Sequence, residues 1–88
     1  MIIDGLEWDD ENIEHINRHY IHPEEIEDVC FGIHVAYRGR FNRYILYGQT
    51  ERGRYLKVIV EHIYGKRFRP VTAFAMSKSE QHNYRRRI

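Results

Sequence analysis

Lys57 and Glu61 lie four residues apart in the run Tyr55-Leu56-Lys57-Val58-Ile59-Val60-Glu61, whose residues alternate in character. In a strand, that period puts Leu56, Val58 and Val60 on one face and sends Lys57 and Glu61 to the other. Nearby in sequence stand the cations of Lys66-Arg67-Phe68-Arg69. Metal-free RNA cleavage uses this equipment: a base for the 2′-hydroxyl proton, an acid for the leaving oxygen, and cations around the phosphate. Lys57 supplies the cation and Glu61 a base. Phe74 and Tyr55 add aromatic surface of the kind on which unpaired bases stack. The same residue types also have a purely structural use. Lys57, Arg67 and Arg69 can solubilise an exposed sheet or pair with Glu61, while Phe74, Tyr55 and Tyr84 pack.

The histidines and the cysteine offer less. His62 sits on the same strand, but its parity places it on the Leu56 face, where it is partly covered. His15 and His19 have the spacing that puts two imidazoles on one helix face, and His22 follows, yet no third ligand stands with them, so no metal site and no cofactor is expected. Cys30 is the only cysteine. That excludes an internal disulfide and a cysteine-rich zinc site, and leaves a small buried hydrophobe.

Elements that must position these residues follow from the pattern. Met1 to Trp8 reads as an extended lead-in anchored by Ile3, Leu6 and Trp8. Asp9 is an N-cap with Asp10 and Glu11 in the first turn, and Ile13, Ile16 and Tyr20 form one stripe of a first helix. Pro23 opens a second helix, Glu24 and Glu25 follow it, Ile26, Val29 and Cys30 are its buried side, and Gly32 ends it in a left-handed conformation. Beyond Gly32 the period becomes that of hairpins: strands over 33–38, 43–49 and 54–63, with turns at Gly39 to Asn42 and at Thr50 to Gly53. Tyr64-Gly65 turns into a last strand ending at Met76, which is an edge strand or is bulged at Pro70. Ser77 and Glu80 then form a capping box for a final helix ending in Arg85-Arg86-Arg87. The expectation is one α+β domain over residues 1–88, with two N-terminal helices, a four-stranded antiparallel meander and a C-terminal helix, the helices all packed on the apolar sheet face.

Charge is divided along the chain. Through residue 30, ten acidic residues face only Arg18, a net of −9; from Phe31 onward, thirteen Lys and Arg face Glu51, Glu61 and Glu80, a net of +10. Either the acidic part covers one side and leaves a positive face for a polyanion, or the two parts neutralise each other within the fold. The 88 residues suffice for a single core. No run is long enough to cross a bilayer and no leader precedes Asp4, so a cytoplasmic protein without membrane contact is expected.

A further pattern spans nearly the whole chain. Glu7-Trp8-Asp9 with Asn12, His15 and His19, then Pro23-Glu24-Glu25, Gly48, Thr50, Gly53-Arg54, and Arg69 to Met76 leading into Glu80 and Tyr84, resemble the BrnT family. The resemblance implies a RelE-like fold and the role of toxin in a bacterial type II toxin-antitoxin pair. It implies metal-independent endoribonuclease activity and neutralisation by a BrnA-type, DNA-binding antitoxin; the assembly expected is a homodimer or a toxin-antitoxin hetero-oligomer. It adds Arg69 to Lys57 and Glu61 as a catalytic phosphate ligand; the RNA contacts expected beside them are Arg54, Arg67, Phe74 and Tyr84. Two positions depart from the family pattern. Phe74 stands where the family's last strand carries Arg, and His19-Tyr20 where it has His-Gly. Loss of a phosphate-binding cation costs roughly 10²–10³ in rate for comparable electrostatic groups. The alternative is therefore a catalytically weakened BrnT-like module that binds RNA or protein; a small adaptor domain that dimerises through its sheet is a third reading.

Overall fold

The computed structural model describes all residues, 1–88. In chain order the elements are β1 (Gly5–Leu6), α1 (Asp10–Asn17), α2 (Pro23–Phe31), β2 (His34–Arg38), β3 (Arg43–Gln49), β4 (Tyr55–Tyr64), β5 (Arg67–Ala75) and α3 (Lys78–Arg87). The sheet has five strands in the order β1-β5-β4-β3-β2. Strands β2 to β5 form the expected antiparallel meander. The fifth strand corrects the four-stranded expectation, because Gly5 and Leu6 pair in parallel with Arg67 and Phe68 and make the sheet mixed. Asp4 N–H donates to the Lys66 carbonyl and Glu7 N–H to that of Phe68, so the lead-in is stitched to β5 on both sides of this short pairing.

Burial explains the register. Leu46, Leu56, Val58, Val60 and Ala73 are fully buried on one sheet face, against Ile16 of α1, Ile26 and Val29 of α2, and Ile21. Gly48 lies under α2, where a Cβ would stand 2.8 Å from Val29 Cγ1. That approach sets how closely α2 sits on β3. Pro70, which has no amide to give, pairs with Val60 just where the β4–β5 register slips by one residue. The bulged alternative is the one realised.

Three further expectations are corrected. First, α3 does not join α1 and α2. Its buried Tyr84 packs edge-on against Tyr55, on the sheet face opposite to Leu56 and Val58. Apolar residues on that second face (Val35, Ile45, Ile59) need a cover, and a single aromatic anchor on an otherwise polar helix provides part of it. Second, α1 stops at Asn17, and Tyr20 is exposed at φ 57° while Ile21 enters the core instead. The chain leaves the helix before the expected stripe is complete. It follows that His15 and His19 do not share a helix face. Third, Gly32 is extended, with φ −96°; a Cβ there would meet the Asp28 carbonyl oxygen at 2.5 Å, so space, not handedness, requires glycine. Cys30 is buried as expected, and burial pushes its thiol up to about 12, which leaves it unreactive.

No helix is long and apolar enough to cross a membrane.

Candidate functional site

The side chain that organises the second sheet face is Glu80. Its Oε1 accepts from the Ser77 backbone N–H at 2.9 Å while Ser77 Oγ accepts from Glu80 N–H at 3.1 Å, the capping box expected from Ser77-Lys78-Ser79-Glu80. Its other oxygen, Oε2, accepts from Lys57 Nζ at 2.9 Å and stands 3.4 Å from the Tyr47 hydroxyl. One carboxylate thus starts α3 and holds it to β3 and β4. The Ser77 N–H, and after it Lys57, holds the Glu80 carboxyl below its ordinary value. Burial, and after it the Glu80 charge, pushes the Tyr47 phenol up, so that it stays protonated. Both members of the Lys57–Glu80 pair keep about a quarter of their side-chain surface in solvent (28% and 24%). They are accessible to a ligand as they stand.

On one side of this pair the Lys57 ammonium lies over the Phe74 ring, 5.7 Å from its centroid, and the exposed His19 imidazole meets the same ring edge-on at 4.6 Å. On the other side, α3 and the sheet enclose a groove of about 240 Å³, lined by Val35, Tyr37, Ile45, Tyr47, Tyr84 and Arg87 with Glu80 at its rim. Arg87 lies over Tyr37 at 5.5 Å and Arg85 over Tyr55 at 5.0 Å. The second face therefore carries a cation, a carboxylate, a phenol, an imidazole and stacked arginines.

Of the three expected catalytic residues, Lys57 alone is at this centre. Glu61 is on the same face but four residues along β4, about 13 Å away by strand rise, and pairs with Arg43 at 3.7 Å. Arg69 lies across the ladder from Glu61, yet its guanidinium turns to the start of α1 and engages Asp9 at 2.9 Å and Glu11 at 3.3 Å. The grouping of Lys57, Glu61 and Arg69 is thus corrected: strand geometry separates them, and each pairs with a different group, Lys57 with Glu80, Glu61 with Arg43 and Arg69 with Asp9 and Glu11. Among the expected RNA contacts, Phe74 is at the centre. Arg54 donates to the Tyr20 carbonyl at 2.8 Å and pairs with Glu25, at the other end of the molecule from Glu61 along β4. Arg67 pairs with Glu7 at 3.6 Å. Tyr84 is buried and unavailable for stacking on a base, which corrects that expectation too. His62 packs against Phe68 on the core face and bonds the Gly65 carbonyl through Nε2.

Tyr47 and the second role of Glu80 carry no signal in the sequence, whereas His19, weighed there only as a metal ligand, meets Phe74 instead. Glu80 read as a cap, and nothing in its spacing pointed to Lys57, 23 residues earlier. The two charge arrangements envisaged for the chain are both present in part. Bridges from Arg54, Arg67 and Arg69 to Glu25, Glu7, Asp9 and Glu11 tie the basic part to the acidic part. Arg38, Arg40, Arg85, Arg86 and Arg87 have no ion-pair partner. They leave positive charge on β2, its hairpin and the end of α3.

Much of the wider motif builds the fold. Asn12 is buried, its Oδ1 accepting from Asp9 N–H at 2.9 Å and its Nδ2 donating to the Glu7 carbonyl at 3.0 Å, so Glu7, Asp9 and Asn12 form the joint between β1 and α1. Thr50 Oγ1 accepts from Arg54 N–H in the turn that Gly53 completes at φ 94°. No group of three or more His, Cys, Asp or Glu side chains converges as a metal site would require. Compared with models of protein families, with curated proteins and with solved structures, the chain matches none.

Proposed function

We propose that this protein is a cytoplasmic toxin of the type II toxin-antitoxin kind, an endoribonuclease that works without metal and is neutralised by a BrnA-type, DNA-binding antitoxin. The proposal joins the sequence resemblance to BrnT toxins with the geometry of the second sheet face. Its carrying observation is the Lys57–Glu80 pair, a quarter exposed, with Lys57 and His19 both against the Phe74 ring. In this reading the RNA phosphate approaches Lys57, whose ammonium has three donors and gives one to Glu80. His19, whose imidazole meets the Phe74 ring, accepts the 2′-hydroxyl proton. The 2′ oxygen attacks phosphorus, the bond to the 5′ oxygen breaks, and the 5′ oxygen takes a proton from the Tyr47 phenol. The products are a 2′,3′-cyclic phosphate and a 5′-hydroxyl, and the proton on His19 returns to Tyr47 through solvent. The unpaired arginines at the end of α3 hold the RNA backbone.

A second reading, a weakened relative that binds RNA or a partner protein without cutting, is favoured by one specific observation. Arg69, the phosphate ligand that the resemblance implies, is engaged by Asp9 and Glu11, and Phe74 adds no charge. Induced expression in a bacterial host, with growth followed and RNA ends mapped, separates the two. Growth arrest with new RNA ends, both abolished in Lys57→Ala, supports the ribonuclease. Normal growth and unchanged RNA from a folded protein supports the binding module.

A further inference from the structure

The two edges of the sheet are treated differently. At one, β1 covers the start of β5, and Pro70 with its bulge interrupts the rest. At the other, β2 is bare. It contains no proline, no lysine and no slip in register against β3, and the one charge it carries is that of Arg38 at its end.

The hydrogen-bonding phase of this edge is fixed by Gly39 N–H donating to the Arg43 carbonyl at 2.8 Å. In an antiparallel ladder the bonded pairs recur every second residue, so Val35 and Tyr37 bond to β3. His34, Ala36 and Arg38 then direct their N–H and C=O groups outward. These outward groups are self-complementary. A two-fold axis through Ala36 pairs His34 with Arg38 of a second copy, Ala36 with its own counterpart, and Arg38 with the second His34. Moving the axis to Arg38 sets two arginines opposite each other, and moving it to His34 forfeits the pairing of Arg38.

The same axis accounts for apolar side chains that the monomer leaves in water. Phe31 is 50% exposed, Ile33 79%, Tyr37 40% and Phe41 83%. Phe41 is also held at φ 57°, a conformation costly for an aromatic residue, without burial to offset it. Two-fold pairing about Ala36 sets Tyr37 against Val35 of the second copy, Ile33 against Gly39, and Phe31 toward Phe41. It brings Arg40 to Gly32 of the second copy, at the C-terminal end of α2, whose last turn has no basic residue of its own. We infer that β2 is a homodimerisation edge, pairing antiparallel with β2 of a second copy about Ala36 to give a continuous ten-stranded sheet. This inference does not depend on the ribonuclease reading, since Lys57 and Glu80 lie away from the edge.

Sedimentation from low to high micromolar concentration tests it, using the full chain and two variants. Ala36→Pro removes an outward N–H but no bond to β3, and Ile33→Lys with Phe41→Lys changes only exposed side chains. The expected result is a dimer of the wild type, weakened tenfold or more by each variant. Hydrogen exchange at His34, Ala36 and Arg38 is expected to be slow in the dimer and fast on dilution. A wild type that stays monomeric throughout, or a dimer as tight in the Lys variant as in the wild type, overturns the inference and frees this edge for a different chain. If Ala36→Pro unfolds, the Lys variant and the exchange data decide alone.

Discussion

Replacing Glu80 by Ala removes three interactions at once, and the structure allows the cost to be worked out. Without the reciprocal bond to Ser77 N–H the helix start is weaker by about 0.5–1 kcal/mol, at the lower end because Ser77 Oγ still caps Glu80 N–H. The Lys57 pair, about a quarter exposed, contributes about 0.5–1 kcal/mol. The approach of Tyr47, at 3.4 Å, adds little. Together these give about 1–2 kcal/mol. The destabilisation falls mostly on α3, whose one buried side chain, Tyr84, lies a turn further on. Denaturant unfolding of the wild type, Glu80→Ala, Lys57→Ala and the double variant measures both the total and the coupling, for which about 0.5–1 kcal/mol is expected. The pH dependence has a definite sign. The Ser77 N–H first and Lys57 second lower the Glu80 carboxyl in the folded state, so its stabilisation is fully present above the ordinary value of 4.5 and is lost as pH falls through the lowered one. The difference between wild type and Glu80→Ala should therefore shrink in acid. A cost below about 0.3 kcal/mol, with unchanged hydrogen-exchange protection in α3, would refute the view that Glu80 fastens this helix to the sheet.

Other expectations are briefer. Gly48→Ala forces a Cβ to within 2.8 Å of Val29 Cγ1 in the core and should destabilise by about 1–3 kcal/mol, measured by thermal or denaturant unfolding. Asn12→Ala leaves the Asp9 N–H and Glu7 carbonyl without their partner and should cost about 1–3 kcal/mol, read the same way. Neutralising Arg86 and Arg87 should weaken RNA binding and flatten its salt dependence, by a slope of about 1 for each phosphate that no longer meets a cation, whereas Arg69→Ala should leave the slope unchanged because its charge is already engaged. A filter-binding titration across salt concentrations checks both.

What was legible in the chain was what repeats. The alternation of Leu56, Val58 and Val60 correctly fixed the faces of β4, and with them the side on which Lys57 stands. Pro23, Gly53 and the Ser77–Glu80 box marked element ends through local chemistry that needs no tertiary context. A two-residue strand has no period to detect. Gly5 and Leu6 become β1 only because Asp4 and Glu7 bond to the far end of the chain. Tyr20 had the spacing of a core residue, but a stripe does not report where a helix stops, and the turn at φ 57° turned it outward. The centre on the second sheet face was half visible. Lys57 and Phe74 were evident as a cation and an aromatic, but Glu80 joins them only through the position of α3. Arg69 misled because Asp9 and Glu11 reach it from the opposite end of the sequence.

Incubating the purified protein with single-stranded RNA in excess chelator, and then mapping the new ends, decides whether it is a ribonuclease. The expected result is cleavage that chelator leaves intact, with 2′,3′-cyclic phosphate and 5′-hydroxyl termini, and its absence in Lys57→Ala and His19→Ala variants that remain folded. Intact RNA, or cleavage that persists in both variants, would contradict it.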